Sequence, residues 1–391
     1  MPKIFHVYAS NGPAYKELDL PASDYEMLDL MEQLQLAPKE LPYLEVLEYH
    51  DYDYLAEQIL EQPDIYQLNG LARQLAGLDS FGRAAFEGLI GMEIKKGAAP
   101  VPLSRLIDFA GGLECCHVVD EAMTDFELGR FYAENGFVPE AEDLSDTAFE
   151  LLDFGKIGRE HRTAEGGVFT SLGYVVQHSE VPHVSEKMDF QPREPPYTIL
   201  LNTMSMPLVP EQKREPIPIR LPTTSEQLQE TLEKLGCTSW SNVMVSILDC
   251  PVPSWNHTIF LDDEIPQVFK LAEKLRQLDA EGKLTQYKAI LEATDCQEVA
   301  DAVALADTVD EYTLLPNIHS LEEAAKDDLS ISVDSITLER LLPYVNLREY
   351  GVAMLDYYNA KLTSYGRLDR GGEPIQLIRD EPEQGGMEMT Q

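Results

Sequence analysis

The stretch Leu341–Leu368, LLPYVNLREYGVAMLDYYNAKLTSYGRL, organises the reading of the whole chain, because a degraded copy of it stands earlier. Laid over the segment that begins at Ala148 with a constant offset of 193 residues, it puts Gly351 on Gly158, Thr363 on Thr170, Ser364 on Ser171 and Gly366 on Gly173. Four identities at one offset point to an internal duplication, with two related halves in tandem. Upstream, Leu271, Leu275 and Leu278 fall 200 residues after Leu71, Leu75 and Leu78, and Leu221-Pro222 repeats Leu20-Pro21. The leucine match weighs little, since leucines at helical spacing are common, whereas the Gly and Thr-Ser matches weigh more.

The length of 391 residues suits two or three domains at about 150 residues each. An apolar share of 44% permits ordinary cores, but 69 Asp and Glu against 30 Lys and Arg leave a net charge of -39. Such a charge opposes compaction, favours solubility and speeds encounter with a basic partner. Nucleic acids and anionic membranes are poor partners, because binding phosphates needs cations. An acidic cytosolic or salt-adapted protein would have the same composition, so composition settles only the sign of the partner. Five cysteines, two of them adjacent (Cys115 and Cys116), read as reduced thiols in a cytoplasm. The opening MPKIFHVYAS lacks the pattern of a signal peptide, and no run of 18 apolar residues predicts a membrane span.

Along the chain, strands are expected at Ile4 to Ala9 and Glu17 to Leu20. Ser23 and Glu26 stand at capping-box spacing before a short acidic helix. Tyr43 to Tyr54 alternates and ends in an acidic, tyrosine-rich turn. The period changes to 3.6 from Ile65, which predicts a helical pair, then a short helix over Leu103–Gly111 and a strand over Cys116–Val119. Thr124 to Glu127 is a second capping-box spacing. Periodicity vanishes between Gln177 and Pro196, the best candidate for a linker. Tyr197 onward repeats the plan, with Thr224 and Gln227 again at capping-box spacing. The expected divisions are an α+β module (1–62), a helical module (63–113), a terminal α+β module (114–178), a linker (179–196), a second set (197–264, 265–308 and 309–370) and a polar tail (371–391).

Motifs for nucleotide, zinc or hydrolase chemistry are absent: there is no GxxxxGK[ST], GxGxxG after a strand, HExxH, CxxC or GxSxG. Glu114-Cys115-Cys116-His117 lacks a second ligand pair and reads as core cysteines beside a surface histidine. His50-Asp51-Tyr52-Asp53 offers oxygens for a hard cation but reads better as a solvated turn. A pair of carboxylates for acid/base work cannot be singled out among so many, which leaves a carboxylate- or metal-dependent enzyme as an alternative. The positive signal is the spread of acid over every element: Asp24, Asp29, Glu32, Glu45, Glu48, Asp51, Asp53, Asp120, Glu121, Asp125, Glu127, Glu140, Glu142, Asp143, Asp146 and Glu150 in the first half alone. Duplex DNA carries one charge per ~1.7 Å, so the net charge equals that of roughly 65 Å of duplex. Acids spaced by ~6.7 Å along a strand or ~5.4 Å per helical turn could present phosphate-like charge at phosphate-like spacing.

The order of several segments adds to this. The ELDLP run before a short helix, the EYHDY segment, the leucine helix Leu68 to Leu78, TDFELGRFYAENG at Thr124 to Gly136 and DFGKIGRE at Asp153 to Glu160 resemble the antirestriction proteins of the ArdA family. The second half keeps the terminal motif in altered form, Tyr344 to Gly351, with Val352 and Ala353 where the first half has Arg159 and Glu160. The resemblance implies an elongated chain of small α+β modules, here internally duplicated into two tandem units. It also implies a non-enzymatic, cofactor-free DNA mimic that fills the basic DNA-binding groove of type I restriction-modification enzymes, and itself binds no nucleic acid or membrane. A cytoplasmic place in a bacterial host carrying a mobile or conjugative element goes with this, as does a monomeric pseudo-dimer or homodimer with Phe154, Tyr344 and Tyr350 at the contact. Inhibition of another defence system such as CRISPR, or an acidic assembly role without inhibition, are the remaining alternatives.

Overall fold

The computed structural model describes residues 2–37, 39–59, 62–206, 215–261 and 264–377; positions 378–391 of the expected polar tail lie outside the described residues. In chain order the elements begin with strands β1 (Phe5–Asn11) and β2 (Ala14–Leu20), helix α1 (Asp24–Gln33) and β3 (Tyr43–Glu48). Helices α2 (Ile65–Leu75), α3 (Ser80–Lys95) and α4 (Leu103–Gly111) lead to β4 (Cys116–Val119) and α5 (Asp125–Glu134). The short α6 (Asp146–Phe149), α7 (Phe154–Glu165), β5 (Val168–Thr170) and β6 (Gly173–Gln177) close the first series. A second series follows: β7 (Ile199–Ser205), β8 (Ile217–Leu221), α8 (Ser225–Leu235), β9 (Val243–Asp249), β10 (Ile259–Phe260), α9 (Ile265–Ala280), α10 (Leu284–Ala293) and α11 (Val299–Ala306). It ends with β11 (Thr313–Leu315), α12 (Leu321–Ser332), α13 (Ser335–Leu341), α14 (Leu347–Tyr358), β12 (Lys361–Thr363) and β13 (Gly366–Asp369).

The chain is therefore α+β, built from small antiparallel sheets and helices, and the two series run in nearly the same order. Each opens with a hairpin, a capped helix and a third strand. In each, the last hairpin pairs with an earlier short strand, giving sheets ordered β4-β6-β5 and β11-β13-β12. Two of the three expected capping boxes form; at Thr124 the hydroxyl accepts from the Glu127 amide, but the Glu127 carboxylate accepts from the Met123 amide rather than from that of Thr124. Ser23 Oγ accepts from the Glu26 amide at 3.1 Å while the Glu26 carboxylate accepts from the Ser23 amide at 2.7 Å, and Thr224 and Gln227 repeat the exchange. Helices α7 and α14 both end on a left-handed residue, Gly166 (φ 72°) and Asn359 (φ 52°), the conformation that frees the last carbonyls to be satisfied.

Contacts divide the chain into two compact units. The first comprises residues 1–10, 16–22 and 38–192. Its N-terminal sheet, ordered β2-β1-β3, buries Phe5, Val7 and Ala9 on alternate positions of β1. Helix α2 buries Leu68, Leu71 and Leu75, and α4 packs against it. Helix α3 lies against β5 and β6. The α5–α7 pair has small cores of its own, around Leu128, Tyr132 and Tyr174 and around Ala133, Ala141 and Phe154.

The segment expected as a linker is, over 179–192, a strap on this unit. Val181 is buried, the Ser185 amide donates to buried Asp108 at 2.9 Å, and His183 Nδ1 lies 3.2 Å from the same carboxylate. Phe190 lies so close to α2 that a Cβ on Gly70 would come within 2.5 Å of its ring. Sequence periodicity missed this because an extended strap contributes isolated anchors, here Val181, Val184 and Phe190, rather than a repeating face.

The second unit comprises residues 11–15, 23–37 and 193–391. Its core is one contiguous cluster, from Ile199, Val245 and Ile247 in the sheet ordered β10-β9-β7-β8, through Leu271, Leu275 and Ile290 in the helices, to Tyr365 and Leu368 of the last hairpin. Helix α1 belongs to this unit, although the sequence places it in the first half. The Ser23 hydroxyl donates to Asp249 at 2.6 Å, and Asn256 lies 3.4 Å from Glu26.

Candidate functional site

The sixteen acids singled out from sequence separate into three groups. Twelve are exposed: Glu45, Glu48, Asp51, Asp53, Asp120, Glu121, Glu127, Glu140, Glu142, Asp143, Asp146 and Glu150. Glu45 lies on β3 opposite Tyr8 and Glu48 opposite His6, while Asp51 and Asp53 lie on the 3-10 helix His50–Glu57. The others follow β4 or lie on α5, α6 and the connections around them. Asp51 pairs with Arg83 at 3.1 Å, Glu150 with Arg130 at 3.2 Å and Glu48 with His50 at 3.9 Å, and Glu127 accepts from the Met123 amide and the Thr124 hydroxyl. The remaining eight have no cation within 4.0 Å among the described residues. An exposed carboxylate without a neighbouring cation keeps its hydration, so it is free to meet charge on another molecule.

Two acids, Asp24 and Asp125, are half-buried. Asp125 receives both Arg162 nitrogens, at 2.7 and 3.1 Å, and this guanidinium holds its carboxyl below the usual range. It therefore ties α5 to α7.

Asp29 and Glu32 make the third group and correct the expectation of an acidic surface at α1. Asp29 is 1% exposed, and its Oδ1 accepts from Lys288 Nζ at 3.0 Å and from the Tyr365 hydroxyl at 2.8 Å. Gln33 donates to Oδ2 at 2.9 Å. Glu32 shares the same ammonium, at 2.8 Å, and its own side chain remains 33% exposed. Burial pushes the Glu32 carboxyl up against the pull of Lys288. Burial also works to lower Lys288, but the two carboxylates outweigh it and hold the ammonium above its ordinary value. Sequence reasoning missed this cluster, whose signal was a lysine inside the apolar run Tyr287-Lys288-Ala289-Ile290-Leu291 of α10.

The three residues expected at a contact also separate. Phe154 is 2% exposed and packs edge-on to Phe126 and against Phe149, so it is a core residue of its own helix pair and cannot form a contact surface. Tyr350 is half-buried and its hydroxyl donates to Asp328 at 2.8 Å. Tyr344 is 87% exposed. Apolar side chains also interrupt the acids at the surface: Tyr43 and Leu47 alternate with Glu45 on β3, Phe126 sits beside Glu127, and Leu151 follows Glu150.

Cys115 and Cys116 are buried beside exposed His117, and no cluster of three or more His, Cys, Asp or Glu able to hold a metal ion occurs among the described residues. Among the described residues, no helix is long and apolar enough to cross a membrane. No protein-family model and no curated protein matches this chain.

Proposed function

We propose that the protein is a DNA-mimic antirestriction protein, which occupies the DNA-binding groove of a type I restriction-modification enzyme and blocks it by competition. The observation that supports this most is the set of twelve exposed acids on β3, the turn after it, the end of β4 and the α5–α6 region, nine of them with no cation within 4.0 Å among the described residues, in a chain of net charge -39. A groove built to bind phosphate is lined with Lys and Arg, and these carboxylates offer it negative charge in place of phosphate. The segments resembling the ArdA family, Thr124–Gly136 and Asp153–Glu160, form α5 and the start of α7.

The repeated order of elements supports a second part of the proposal, that the chain arose by duplication and carries two units of this kind. Glu87 of α3 accepts from the Ser171 amide and hydroxyl, at 3.2 and 2.8 Å; Glu292 of α10 does the same for Ser364, at 2.8 and 3.1 Å. Thr170 and Thr363 each donate to the glycine carbonyl three residues on, at 2.8 Å. Thus the Thr-Ser-x-Gly identities correspond to one hairpin turn, docked in one way on one helix, built twice.

The deciding experiment is displacement of labelled duplex DNA from a purified restriction-modification enzyme. The protein should displace the DNA, less so as salt rises, and excess DNA should reverse it. Binding that ignores both salt and added DNA would sink the reading, and failure against restriction enzymes with success against another nucleic-acid-binding defence complex would move the target.

A further inference from the structure

Within the second unit, a cleft of about 370 Å³ opens between α1, α9, α10 and the chain entering β7. Its walls include Leu28, Pro222 and Leu275, with the Tyr25 and Tyr197 side chains at one side. The Tyr25 hydroxyl donates to the Tyr197 carbonyl, which fixes that side. Glu32 and Lys288 also line the cleft. Arg276 and Asp279 of α9 stand on it as exposed residues of opposite sign, and Glu194 adds a further carboxylate.

The charge of this lining is not balanced. Lys288, 3% exposed, is shared between Asp29 and Glu32. Glu32 uses Oε2 for that ammonium, and its Oε1 has no partner among the described residues. A carboxylate that is largely withdrawn from water and holds half a share in one cation is stabilised by a second cation, provided their contact outweighs the newcomer's own desolvation. The apolar and aromatic walls favour a cation on a hydrocarbon stem, since the stem is buried by the prolines and leucines while tyrosine faces attract the charge. A carboxylate ligand could meet Arg276 but would be opposed by Glu32, Asp279 and Glu194.

We propose that this cleft binds a primary ammonium or guanidinium group carried on a short apolar stem, with Glu32 as the anchoring carboxylate. The source of such a group is either a free amine or a lysine or arginine side chain. The site is independent of the acidic surface, and its occupation does not depend on how that surface is used.

Calorimetric titration of the full chain tests it, with n-butylammonium and agmatine as probes and 1-butanol and butyrate of matching length as controls. Saturable binding of the two cations at millimolar concentration, without binding of either control, is expected. Glu32→Gln should weaken it by about tenfold or more, the loss of one charge-assisted contact. Leu28→Trp, which fills the cleft without altering its charge, should abolish binding, with thermal unfolding confirming that both variants remain folded. N-acetyl-lysine amide binding more tightly than butylammonium would assign the site to a side chain, and the reverse order to a free amine. Butyrate binding as well as butylammonium, undiminished binding in the folded Glu32→Gln variant, or no saturable binding of either cation would each overturn the proposal.

Discussion

Gly129 of α5 and Gly158 of α7 meet where their helices cross, so closely that neither position has room for a methyl group. A Cβ on Gly129 would stand 1.9 Å from the Phe154 carbonyl oxygen, and one on Gly158 would stand 1.9 Å from that of Asp125. Gly351 of α14 meets α12 in the same way, 2.1 Å from the Leu321 carbonyl. The obstacle is backbone in each case, so no side-chain rotation relieves it. Gly158→Ala and Gly351→Ala should each cost about 3 kcal/mol or more by forcing the helices apart. Urea unfolding followed by circular dichroism measures this, and a loss under 1 kcal/mol, roughly the size of an ordinary surface change, would contradict the close crossing.

The two hairpin clamps should behave alike. Glu87→Ala removes both bonds to Ser171, and Glu292→Ala both bonds to Ser364. Each clamp is exposed, so a cost of about 1 kcal/mol is expected. Hydrogen exchange at the Ser171 and Ser364 amides should rise in the respective variant only. Equal exchange in wild type and variant would show that the turn does not need its glutamate.

Lys288 neutralises two carboxylates at once. Lys288→Met should destabilise the second unit by about 3–5 kcal/mol, because Asp29 and Glu32 are left without their cation. Adding Asp29→Asn and Glu32→Gln should return a good part of that loss. If the triple variant is no more stable than Lys288→Met alone, charge imbalance is not the cause.

His6 on β1 and Asp19 on β2 give the first unit a pH response near neutrality. Their hydrogen bond, at 2.7 Å, raises the imidazole above its ordinary value of 6.5, with burial opposing. A raised basic group stabilises the fold fully below its unfolded value and loses that contribution as pH rises through the folded one. The stability difference between wild type and His6→Gln should therefore be present near pH ~6 and fade by about pH 8. A difference that grows with pH would reverse the sign and refute the pairing.

Inhibition by the exposed acids should erode by degrees. Single changes such as Asp143→Asn should barely weaken competition with DNA, since an exposed charge contributes only ~0–1 kcal/mol. Neutralising Glu140, Glu142, Asp143 and Asp146 together should weaken it markedly and flatten its salt dependence. Complete loss from one substitution would favour a catalytic carboxylate instead.

Much of the local structure was legible in the residues. Capping boxes at Ser23 and Thr224 predict helix starts because the hydroxyl and the third residue must exchange bonds with nearby amides. The strand Cys116–Val119 and the helix Leu103–Gly111 stand where the pattern placed them. The spread of acid predicted a largely exposed negative surface, and twelve of sixteen positions are exposed. Asp29 and Phe154 were illegible for one reason: burial depends on which distant element arrives, and neither helical spacing nor residue type carries that information.

The charge, the α+β series of elements and the repeated Gly and Thr-Ser positions can be read from the residues alone, since they follow from short-range bonding and composition. Long-range packing alone places α1 in the second unit, Lys288 between Asp29 and Glu32, and the strap with Phe190 on α2. Those are contacts between residues far apart in the chain, chosen by shape and by the need to satisfy a buried charge, and local pattern does not encode the partner.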